Sequence, residues 1–249
     1  MPESMMRIPN PMTVARAAGI NVTAPPPGIV PDAVWDLMPQ IEAKDASTAA
    51  HTWRVVLYTR ALTEAMGLDP ELIERISLGA ALHDLGKVDI PDAILKKPGR
   101  LTDEEFAVIK THPAAGYDRL TAMGVTDRVV LNLVRWHHEK LDGSGYPDGL
   151  RGAEIPPGPR YFGVVDTFDA MTSVRPYRRE IGAEAAEKAI AELRSKVGTW
   201  YCAECVDAWD RLYRSGQIDW ILHYFNDEIP IPSFGGRRAG DGRGASGAA

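Results

Sequence analysis

Cysteine is almost absent. Only Cys202 and Cys205 occur in 249 residues, as CAEC, which excludes a scaffold built on disulfides. The pair lies in a helical-looking stretch, with no second Cys/His pair at zinc spacing and no strand beside it. Neither half of a zinc site nor a redox motif finds its usual context there, and two free thiols of a reduced compartment are expected. Long apolar runs are also missing: no window reaches the ~18 residues that a membrane helix needs. The first ten residues include Pro2, Glu3, Arg7 and Pro9 and lack the apolar stretch of a signal peptide. The expected setting is cytoplasmic, away from any membrane. Nor is positive charge in excess. A net charge of −6 and a pI near 5.6 exclude general nucleic-acid binding, which needs a basic face to release phosphate counterions. A small anionic substrate at a locally positive site stays compatible.

What is present suffices for a core, since 45% of residues are hydrophobic in a chain long enough to bury them. Residues 1–31 carry PPP at 25–27 and four further prolines, and read as an irregular arm. Residues 230–249, ending GGRRAGDGRGASGAA, read as a disordered Gly/Arg/Ala tail, which leaves 32–229 as the folded domain. Its pattern is helical throughout, broken at glycine or proline. Helices are expected over 46–66, 70–85, 127–138, 160–172, 183–196 and 202–215. Another opens at a Thr102/Glu105 capping box, and one runs from Pro113 to Gly124. The expected fold class is all-α.

Against this background stand six histidines: His51, His83, His112, His137, His138 and His223. Five fall at or near the ends of expected helices, where side chains can converge. A single histidine is more often a hydrogen-bonded core or cap residue than a ligand. His83-Asp84 alone is weak as well, because neighbours on a helix point ~100° apart. Five histidines in register with aspartates reverse those odds. His223, in WILHYF, belongs to no such pattern.

The motifs resemble, in order and spacing, those of the HD-GYP subgroup of the HD metal-dependent phosphohydrolases, over roughly residues 45–215. His51 with Arg54 and Val55 resembles the first motif, HDLGKVDIPDAIL (83–95) the second, and KTHPAAGYDRL (110–120) the next. HHEKLDGSGYPDGL (137–150) contains Gly145-Tyr146-Pro147, and VVDTFDAMTSVRPYR (164–178) brings a late aspartate and a basic cluster. The resemblance implies an HD-domain helical bundle with an HD-GYP C-terminal extension. It implies two divalent transition metal ions, iron or manganese: one on His51, His83, Asp84 and Asp166, the second on His112, His137 and His138, with Asp84 bridging. Imidazole-rich shells suit such metals better than calcium or magnesium.

The implied reaction is hydrolysis of a cyclic dinucleotide, cyclic di-GMP foremost, to linear pGpG and onward to GMP by a metal-bridging hydroxide. Asp84 and Lys87 take catalytic roles, while Lys87, Tyr146, Arg175 and Arg178 contact the substrate. Family members with three metals carry an acid four residues before the first histidine. Ser47 stands there, so two metals are expected and the second cleavage is in doubt. Glu139 and Asp142 are open between bracing imidazoles and capping the turn, and Asp169 between bracing and touching the site. The rival readings are a non-catalytic module that binds the dinucleotide, or a diguanylate cyclase through the GYP loop, and a phosphohydrolase for another nucleotide such as cyclic GMP-AMP.

Overall fold

Glycine and proline punctuate a chain that is otherwise helical. The structure, a computed structural model, describes residues 29–44, 48–173 and 183–224. The first half contains α1 (Asp32–Trp35), α2 (Met38–Lys44), α3 (Thr48–Ala65), α4 (Pro70–Leu82), a 3-10 turn (Leu85–Asp89), α5 (Asp92–Leu95) and α6 (Asp103–Ile109). The second contains α7 (His112–Ala122), α8 (Arg128–Trp136), a 3-10 turn (Gly152–Glu154), α9 (Pro157–Thr172), α10 (Ala183–Ser195), α11 (Ala203–Arg214) and α12 (Asp219–Tyr224). Among the described residues there is no strand, only isolated bridges at Asp142/Arg151 and Val197/Tyr201. The all-α expectation is met. No described helix is long and apolar enough to cross a membrane.

Local chemistry sets the helix starts. Asp69 accepts from the Glu71 amide with Pro70 at the first helical position, and Asp127 accepts from the Val129 and Val130 amides. Thr102 and Glu105 close the expected capping box. Each satisfies amides that a helix start leaves unpaired. Gly67 and Gly124 follow α3 and α7 with φ of 72° and 87°, the left-handed exit that glycine takes without steric cost.

α3 is the axis of the bundle. It packs against α2, α4, α9, α11 and α12, and every residue from Ala50 through Thr63 is buried. One apolar cluster surrounds it, with Tyr58, Phe168 and Trp209 meeting edge to face at 5.0–5.7 Å. A second joins α1 and α2 to Leu82, Leu85, Val130 and Val134. Val30 is buried in that second cluster, so ordered packing begins within the span read as an arm. The rest of the arm, residues 1–28, and the tail lie outside the described residues.

Two expectations are corrected. The helix expected over 70–85 stops at Leu82, and Asp84, at φ −91° and ψ 7°, leaves α geometry. The expectation of two free thiols also fails: Cys202 and Cys205 form a disulfide. Cys202 caps α11 and Cys205 lies in its first turn, so a three-residue spacing places both sulfurs on one side of the helix start.

Candidate metal centre

Helix ends supply most of the site. His83 closes α4, His112 opens α7, and His137 and His138 follow the last residue of α8, while His51 lies on α3 and Asp166 on α9. The donor atoms of His51, His83 and Asp166 lie within 4.8 Å of one another, as do those of His112, His137 and His138. Asp84 joins the two groups. Its Oδ2 is 3.2 Å from His83 Nε2 and 4.0 Å from His51 Nε2, and its Oδ1 is 3.4 Å from His112 Nε2. The early end of α4 makes this possible, because an unbroken helix would direct His83 and Asp84 apart.

Close backbone crossing holds α7 in place. A Cβ on Gly86 would collide with the His112 carbonyl and come within 2.6 Å of the Gly116 amide nitrogen. Only glycine lets the 3-10 turn after Asp84 pass against α7 so closely.

The imidazoles share one orientation. Nδ1 of His83, His112 and His137 lies 2.7, 2.8 and 2.9 Å from the carbonyl oxygen three residues earlier. A carbonyl only accepts, so Nδ1 carries the proton and, in the neutral ring, Nε2 presents a lone pair. His51 Nδ1 similarly faces the Asp169 carboxylate at 2.7 Å. Burial drives His112 down to about 4. Burial, reinforced by neighbouring imidazoles, also holds His137 and His138 well below the ordinary value. Neutral His112 and His137 then face each other Nε2 to Nε2 at 3.1 Å, with no proton between two lone pairs. That contact is repulsive unless a cation lies among the nitrogens. The donor set fits divalent transition metals.

Burial favours protonation of Asp84, but His83, Lys87 and His112 outweigh it and keep the carboxyl well below the usual range. His83 moves the other way: burial opposes its charge, yet the adjacent Asp84 raises its pKa. Lys87 Nζ donates to Asp84 Oδ2 at 2.7 Å, which places the ammonium at the junction of the clusters.

Around the ligands lies a supporting layer. Asp169, fully buried, accepts from Arg54 Nε at 2.6 Å and Ser173 Oγ at 3.0 Å while facing His51. It braces an imidazole rather than joining the clusters. Glu139 accepts from the amides of Asp148, Gly149 and Leu150 at 2.7–3.1 Å, so it shapes the loop after the histidines. Asp142 accepts from the amide and hydroxyl of Ser144, a local turn. Gly145 is required by contact, since a Cβ there would lie 2.5 Å from Glu139 Cα and Lys140 N. The same backbone turn brings the Tyr146 ring to 4.8 Å from His138.

All seven expected metal ligands therefore converge, with Lys87 and Tyr146 beside them. Arg175, Arg178 and Ser47 lie outside the described residues, and His223 falls on α12 with its side chain undescribed. The sequence reading gave Arg54 no role beyond its motif. Its signal was spacing: Arg54 lies three residues after His51, on the same helix face.

A helical bundle that gathers five imidazoles and two carboxylates, most of them from helix ends, into two adjoining donor clusters is the class of fold and site that could hold metal ions. The model of the HD domain family matches residues 37–204, and the chain belongs to that family, in its HD-GYP form. It is 42% identical over 196 residues to the cyclic di-GMP phosphodiesterase response regulator RpfG of Xanthomonas campestris pv. campestris, covering 77% of this chain and 50% of that one. It is 39% identical over 146 residues to 3'3'-cGAMP-specific phosphodiesterase 2 of Vibrio cholerae, covering 58% and 28%. The chain thus spans half or less of the length of these curated relatives. The fold is similar to that of Bd1817, an HDG"Y"P protein from Bdellovibrio bacteriovorus, with a TM-score of 0.56 at 22% identity over 68% of this chain and 53% of that one.

Proposed function

We propose that this protein is a metal-dependent phosphodiesterase that opens a cyclic dinucleotide, cyclic di-GMP foremost, to linear pGpG. The observation that carries the reading is Asp84, whose two oxygens are divided between His83 and His112. His51, His83, Asp84 and Asp166 would hold one divalent ion, and His112, His137 and His138, with Asp84 shared, the other. Iron and manganese suit this imidazole-rich set. Such a pair, when bound, lowers the pKa of water and offsets phosphodiester charge.

The chain's own groups do the remainder. Asp84, kept ionised by its cationic neighbours, has acceptor oxygens at the junction of the clusters and orients the attacking water or takes its proton. Lys87 adds positive charge at the phosphate. Tyr146 lines the approach, and Arg175 and Arg178 are the further residues assigned to substrate contact. The names of the relatives support a cyclic dinucleotide, and they divide between cyclic di-GMP and 3'3'-cGAMP.

Chromatography of cyclic di-GMP incubated without oxygen with iron- or manganese-loaded protein tests the reading. The expected result is accumulation of pGpG with little GMP, because Ser47 stands where three-metal members carry an acid. Absence of turnover with two ions bound per chain would overturn it, and turnover of 3'3'-cGAMP alone would move the substrate.

A further inference from the structure

Among the described residues only two large apolar side chains are exposed, Phe106 at 45% and Val197 at 37%. Phe106 is the one next to the metal centre. Its ring lies 6.5 Å from the Tyr146 ring at an interplanar angle of 83°, and Tyr146 lies 4.8 Å from His138. His138 in turn meets the His112 ring at 5.2 Å. An unbroken aromatic ridge therefore runs from the metal ligands out to solvent, and Phe106 on α6 is its outer end. Lys110, one helical turn later, holds its ammonium 5.2 Å from the centroid of the Phe106 ring. Among the described residues Lys110 makes no ion pair with a carboxylate.

Water gains nothing from an exposed phenyl ring, whereas an unpaired purine gains an aromatic face. We propose that Phe106 is the stacking platform for one base of the substrate, with Lys110 supplying positive charge at the rim of the same platform. This rests on the cyclic-dinucleotide reading and deepens it. One phosphodiester is engaged at the clusters, and a base carried outward from it reaches α6. The ring favours any purine and does not separate guanine from adenine, because stacking reads a π-face and not a hydrogen-bond pattern.

The test compares metal-loaded wild type with Phe106→Ala, Phe106→Leu and Phe106→Trp. The measurements are metal content, equilibrium binding of cyclic di-GMP, and hydrolysis of both the dinucleotide and methyl p-nitrophenyl phosphate, a diester without a base. Stacking predicts dinucleotide affinity weakened about tenfold in the Ala and Leu variants and retained in Trp, with metal content and base-free hydrolysis unchanged in all three. Equal affinity in wild type and Phe106→Ala would overturn the inference, as would Leu matching Trp, which would reveal mere apolar packing. A parallel loss of base-free hydrolysis would also overturn it, by assigning Phe106 to support of the Tyr146 loop. Phe106-dependent binding without hydrolysis would overturn the phosphodiesterase reading and leave the platform standing. A wild type that binds no dinucleotide would overturn both.

Discussion

Asp169 shows how a residue outside the ligand set governs one inside it. Its carboxylate fixes the His51 ring from behind and is itself held by Arg54. Such partners are typically worth about 10–100-fold in metal affinity. Asp169→Asn is expected to lose the ion at the His51 cluster while keeping that at His112, as metal content after dialysis would reveal. Protons should compete with folding at the same rings. His112, lowered to about 4, and His137 and His138, held well below the ordinary value by burial, are uncharged in the native metal-free protein at neutral pH. Below pH 6.5 the unfolded chain takes up protons there that the native one refuses, so stability falls as pH drops from 6.5 toward 4. The raised pKa of His83 acts above that window: its contribution is present below pH 6.5 and is lost as pH rises through the folded value, so it leaves the slope between 6.5 and 4 unchanged. Denaturant titrations of metal-free protein across that range check the sign; flat stability would contradict it.

At the scale of elements, the convergence of the seven expected ligands was legible because motif spacing survives without knowledge of packing. The supporting layer was not. α3 reads as an amphipathic helix from Val55, Val56, Leu62 and Met66, yet Thr52, Arg54, Thr59, Arg60 and Thr63 are buried too. Their partners come from afar: Arg60 reaches Glu74 at 2.9 Å and Arg54 reaches Asp169. No local period announces such pairs. The end of α4 at Leu82 was missed for a similar reason, since it depends on how closely the next turn crosses α7. Gly86→Ala should therefore cost about 1–3 kcal/mol in stability and displace His112, which urea denaturation and metal content together would detect. Glu139→Ala leaves three loop amides without their acceptor and is expected to cost about 2 kcal/mol, with weaker substrate binding through Tyr146.

For the whole molecule, donor groups on or next to α3, α4, α7, α8 and α9 would make metal binding a cross-link among five helices. An ion that binds only the native state stabilises it by about 2.7 kcal/mol at a hundredfold excess over Kd. Thermal melts before and after chelation should show a fall in midpoint that added manganese or iron(II) reverses. The disulfide, missed because the pair has neither a second Cys/His pair at zinc spacing nor a strand beside it, ties only four residues and adds a local staple to that larger cross-link.

The complete burial of α3 from Ala50 through Thr63 bears on the order in which the protein comes apart. Backbone amides on that helix cannot reach solvent through a small opening; the apolar cluster that surrounds them must separate first. They should be among the last in the domain to exchange with deuterium, while those of the loop around Tyr146 exchange early. His51 is thus anchored to a fully buried helix, whereas His138 precedes a loop that is half-buried to exposed. Loss of an ion by breathing should begin on the His138 side.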